Sequence, residues 1–129
     1  MAHAGLFATL AECTGKAGAN YNSTAVDEAA INGFCLQAEN LINCISRYDW
    51  SSHFTAPATT TTLSANVWHF LGEIESNLVG MYMIQHDMSG YTSRTEAEDM
   101  INVLRDAALR GLSILRDKKA QDFMTGVTP

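Results

Sequence analysis

Charge is scarce in this chain. Asp, Glu, Lys and Arg make up 17% of its 129 residues, below the quarter or so typical of globular domains. Ala, Thr, Ser and Asn are plentiful instead, so much of the surface is expected to be neutral and polar, a kind of surface that packs against partners. Cations are scarcer still: eight Lys and Arg stand against 14 Asp and Glu, for a net charge of −6. Gripping nucleic acid without regard to sequence needs clustered cations facing phosphates. That function class is excluded, although DNA could still pass beside such a chain without being held.

Long hydrophobic runs are also missing. The strongest, Leu78 to Ile84, is far short of the roughly 20 residues that cross a bilayer. The first ten residues lack the basic start and apolar stretch of a secretory signal, so the Asn22-Ser23-Thr24 sequon is read as accidental. Cysteine is limited to Cys13, Cys35 and Cys44, an odd number. The last two lie nine residues apart on one predicted helix, about 13 Å along its axis, too far to bridge. Reduced thiols acting as small buried hydrophobes are expected, which suits a soluble protein assembled inside a cell. With 47% hydrophobic residues the chain fits one domain able to bury roughly two thirds of its unfolded surface.

Convergent catalytic groups are absent too. Gly15-Lys16-Ala17 lacks both requirements of a phosphate-binding loop: position 10 is Leu10 where glycine is needed, and Ala17 stands where Ser or Thr should follow the lysine. His69 and Glu73 sit one helical turn apart and could share a metal, but no second such pair exists. His86 lies about 25 Å further along the helix, so they read as a surface pair. Cys13 and His53 sit in no recognisable nucleophile motif. Glu96, Glu98 and Asp99 are explained by helix capping, and Glu73 and Glu75, two residues apart, face different directions and read as solvated surface acids. Arg105, Arg110, Arg116, Lys118 and Lys119 interleave with Asp106, Asp117 and Asp122, a mixed face of paired charges. No catalytic residue, metal or cofactor is expected, and the chain is not read as an enzyme; a small helical bundle that binds a metal, or a regulatory one that binds a peptide partner, is the alternative reading.

What is present is helical periodicity. Residues 1–22 combine an apolar stretch, Leu6 to Ala11, with a Gly-rich segment, Gly15 to Asn20, predicting a short helical turn followed by a loop. From Thr24 onward Val26, Ile31, Phe34, Ala38, Leu41, Ile42 and Ile45 recur at three- and four-residue steps. A helix is predicted over 25–47, with Thr24 as its cap and Asp27 three residues on, despite Gly33, which costs roughly 1 kcal/mol relative to Ala. Arg47 to Thr62 holds Tyr48, Trp50, His53, Phe54, Pro57 and four successive threonines, a loop or extended excursion with aromatic anchors. Ser64 then caps a helix reaching about Met88, with Leu63 and Trp68 placed for a hydrophobic staple. Its last turns, Leu78, Val79, Met81, Tyr82, Met83 and Ile84, are apolar nearly all round and must be covered on every side.

Gly90 ends that helix. Thr95 and Glu98 form a capping box for the next, whose face is Ile101, Leu104, Ala108, Leu112 and Leu115 and whose basic end is Arg116, Lys118 and Lys119. The fold class is all-α: a small bundle of three long helices over 25–119, a short N-terminal helix within an arm over 1–22, and a tail over 120–129. That tail carries large apolar residues without an obvious local core.

The run Ile74-Glu75-Ser76-Asn77-Leu78-Val79-Gly80-Met81-Tyr82, the turn after it, and Arg94 to Lys119 resemble the head-to-tail adaptor (connector) proteins of tailed bacteriophages, as does the first long helix ending in Ser46-Arg47-Tyr48. The resemblance spans residues 25–124 and rests on helix order, lengths and apolar pattern. It implies a virion protein of the neck, forming a ring, commonly of twelve copies, beneath the portal protein and above a tail or stopper protein. In such a ring the C-terminal tail docks into the portal, a role that falls here to Phe123, Met124 and Val127. The apolar end of the second long helix, Leu78 to Ile84, becomes the candidate contact between subunits, and Trp50, His53 and Phe54 become candidate loop contacts to neighbours. A ring of acidic copies repels DNA from its wall, so DNA slides through without specific binding.

Overall fold

A short capping motif starts the first helix. In a computed structural model that describes residues 5–18, 21, 26–55, 60–61, 65–86 and 94–117, α1 (Leu10–Ala17) starts at Thr9. Its hydroxyl accepts the N–H of Glu12 at 3.2 Å, while the Glu12 carboxylate accepts the N–H of Thr9, also at 3.2 Å. These reciprocal bonds satisfy two donors left open at a helix start. The helix therefore runs through Gly15-Lys16-Ala17, where composition predicts a loop, and ends at Gly18, whose φ of 86° suits glycine.

The second helix, α2 (Glu28–Ser46), begins three residues later than its apolar period suggests. Asp27, and not Thr24, is the cap: its Oδ1 accepts the N–H of Ala30 at 2.9 Å. Arg47 closes α2 in the left-handed conformation, with φ 59° and ψ 35°. A 3-10 turn at Trp50–His53 leads to a two-residue antiparallel ladder, β1 (Phe54–Thr55) with β2 (Thr60–Thr61), which pairs Phe54 with Thr61. This is the extended excursion in the Thr-rich segment.

Two long helices complete the all-α bundle: α3 (Ala65–His86) and α4 (Arg94–Leu115). The latter starts one residue before Thr95, so Thr95 lies inside its first turn and is not the cap. At the centre is α3, packed against α1, α2 and α4 at once. Leu71, Ile74, Leu78, Val79, Met83 and Ile84 are all buried, and this answers the helix that is apolar nearly all round. Its covering comes from its own chain. Leu78, Val79, Met83 and Ile84 have no surface left for a neighbouring subunit, and Met81 and Tyr82 are half-buried. The expectation of a subunit contact is thereby corrected for those four buried residues, while Met81 and Tyr82 keep part of their surface.

Small residues let the covering come close. Gly72 and Gly80 lie two turns apart on one side of α3. A Cβ at Gly72 would stand 2.6 Å from the carbonyl oxygen of Phe7, and one at Gly80 would stand 2.8 Å from Cβ of Lys16. The N-terminal arm and α1 thus rest directly on the α3 backbone. The aromatic anchors likewise turn inward. Trp50 is fully buried, donating from Nε1 to the Ser46 hydroxyl at 3.0 Å, and Phe54 is buried edge-on to Phe7 with ring centres 4.8 Å apart. Both serve their own core, which corrects their assignment as contacts to neighbours; His53 ends the 3-10 turn between them. The apolar tail with Phe123, Met124 and Val127 lies outside the described residues.

Candidate functional site

Two acids stand where a helical bundle normally keeps apolar side chains. Glu39 on α2 is 4% exposed and Glu75 on α3 is fully buried. The solvated position expected for Glu75 is therefore corrected, and Glu39 had no sequence assignment at all. Oε2 of Glu75 accepts the backbone N–H groups of Phe7 at 2.9 Å and Ala8 at 3.0 Å, and Oε2 of Glu39 accepts that of Leu6 at 2.8 Å. Three consecutive N–H groups of the arm, which belong to no helix or strand, find their acceptors on these two carboxyl groups.

Burial first, and then the adjacent Glu39, hold the Glu75 carboxyl well above the ordinary carboxylate range. Its Oε1 is buried and meets no hydrogen-bond partner. Beside the pair, Cys35 and Cys13 touch. Their hydrogen bond, followed by burial, pushes the Cys35 thiol far above its usual value, so it stays protonated. The third cysteine, Cys44, is exposed rather than buried.

The other sequence candidates do not converge on this pair. Glu73 faces outward and binds Lys16 at 2.9 Å, which holds its carboxyl below the ordinary range, and it also accepts from Asn77 at 3.3 Å. His69 lies beside the ring of its neighbour Trp68, tilted by 34° with ring centres 3.6 Å apart. Among the described residues no three His, Cys, Asp or Glu side chains are grouped to hold a metal ion.

Two open clefts lie on the flanks of α4, away from the buried acids. The larger, about 580 Å³, separates the C-terminal ends of α2 and α4 and is lined by Cys44, Arg47, Leu109, Leu112, Ser113 and Arg116, among others. The smaller, about 270 Å³, lies beside α1 and is lined by Lys16, Asp99, Met100, Val103 and Leu104. The buried acids line neither of these two clefts, and their described partners are the backbone N–H groups of the arm. No protein-family model, curated protein or solved structure matches the chain.

Proposed function

We propose that this chain is a structural virion protein of the head-to-tail adaptor type, one subunit of a ring between the portal and the tail or neck of a tailed bacteriophage. The observation that carries this reading is where apolar surface remains. With α3 enclosed, the exposed large hydrophobics among the described residues are Leu36, Val103, Leu109 and Ile114. Three of the four stand on α4. Side chains of that size, 51% to 68% exposed on one element, form a surface that another copy can cover.

The order and lengths of the long helices support the same reading, as does an acidic chain suited to a wall that DNA slides past. In this role Phe123, Met124 and Val127 anchor the C-terminal segment in the portal. The test is to co-express the chain with the portal protein encoded near it and measure the mass of what co-purifies. Many copies bound to portal, and none when the chain ends at Lys119, is the expected result. A chain that stays monomeric and ignores the portal would overturn the proposal.

A further inference from the structure

The two flanks of α4 carry opposite charge and both carry exposed apolar residues. At about 100° per residue, Asp99, Val103, Asp106, Arg110 and Ile114 share one stripe, two acids and one base around two large apolar side chains. The adjacent stripe, about 100° round the helix, has Arg105, Leu109, Ser113 and Arg116, with Glu98 at its start. Arg47 at the end of α2 joins Arg116 in lining the 580 Å³ cleft. All of these α4 residues are exposed, and of the large hydrophobics Val103 is the most exposed at 68%.

We infer that the Asp99–Val103–Ile114 flank of one copy docks into the Arg47–Leu109–Arg116 cleft of the next copy, head to tail. The inference rests on the collar reading above and names its subunit contact. Charge selects this occupant. A chain of net charge −6 repels its own copies, so self-association needs a contact where the sign is locally reversed. Two of its eight Lys and Arg line this one cleft. Because the two surfaces differ, the contact is heterologous and repeats from copy to copy until rotation closes it.

Cys44, exposed at the cleft, supplies the reporter. Full-length V103C, treated with copper-phenanthroline as a mild oxidant and run on a non-reducing gel, is expected to give dimers, trimers and larger linked species. Mass spectrometry should locate the link between position 103 of one copy and Cys44 of another. Wild type and V103C/C44S, each with a single exposed thiol, are expected to stop at dimers, and adding R47E and R116E to V103C should remove the trimer and larger bands. Circular dichroism confirms that V103C, a change at an exposed position, keeps its helices.

A ladder with the 44–103 linkage supports the contact. Linkage only between identical positions overturns it. If wild type co-purifies with portal in many copies while V103C gives no ladder, this contact is wrong and the collar reading stands. If wild type also ignores the portal, both fall.

Discussion

The backbone N–H of Phe7 donates to Oε2 of Glu75 at 2.9 Å, across 68 positions of sequence. That one bond ties the arm to the central helix at the place where Gly72 lets the two backbones meet. The acid is an acceptor here, so its charge is not what the site requires.

Glu75→Gln should therefore be tolerated. Its amide oxygen can still accept from Phe7 and Ala8, and its NH₂ carries no charge to bury. Glu75→Ala leaves both N–H donors buried without an acceptor, and each such donor costs about 1–3 kcal/mol. Urea unfolding should place E75Q within about 1 kcal/mol of wild type and E75A lower by about 3 kcal/mol or more. Equal loss in both variants would show that the arm depends on the negative charge.

The same carboxyl gives stability a pH dependence of unusual sign. Its folded value is raised above the 4.5 of a free carboxyl, so the folded state keeps a proton that the unfolded chain releases. The contribution is complete below about pH 4.5 and declines as pH rises toward the folded value, at about 1.4 kcal/mol per pH unit. Glu73, held low by Lys16, acts in the opposite direction and weakly, being exposed. Thermal melts from pH 5 upward should show wild type losing stability relative to E75Q; parallel curves would count against a protonated Glu75.

Much of this architecture can be read from residue order. The three long apolar stripes give three long helices, and the aromatic cluster marks the loop between α2 and α3. The burial of Glu75 was also legible: Leu71 stands four residues before it and Val79 four after, so it occupies a buried register. Glu39, with Cys35 four before and Ile42 three after, does the same. An acid in an apolar register was passed over because carboxylates are rarely buried unpaired, and its partners here are backbone groups some 33 and 68 positions away. The covering of α3 was hidden for a different reason. It comes from a short Gly-containing segment whose composition reads as loop, although Thr9 and Glu12 stand at capping-box spacing.

Glycine replacements separate packing from propensity. Ala favours a helix by about 1 kcal/mol over Gly, and at Gly15, where a Cβ would meet nothing within 4 Å, that gain should appear as a higher melting temperature. At Gly72 and Gly80 the added methyl meets the Phe7 carbonyl and the Lys16 Cβ at 2.6 and 2.8 Å. Pushing the arm or α1 outward should cost about 1–3 kcal/mol, reversing the sign. Denaturant unfolding of the three alanine variants checks the order, and a stabilised G72A would mean that the arm does not lie against α3.

The cap of α1 carries a consequence out of proportion to its size. An eight-residue helix is too short to persist on its own, so it depends on its capping box and on docking to α3. Thr9→Ala removes the acceptor for the Glu12 N–H and the hydroxyl that donates to Glu12 at 3.0 Å, a loss of about 1 kcal/mol. Because α1 lies over Gly80, local opening of α1 uncovers the apolar end of α3 without unfolding α2 or α4. Hydrogen exchange should therefore speed up about five-fold at the amides of Cys13 and Gly18, which bond Thr9 and Thr14 carbonyls at 3.1 Å, a factor matching 1 kcal/mol. The amide of Ile31 at the start of α2 should not change; acceleration spread evenly over all four helices would mean that α1 opens only with the whole bundle.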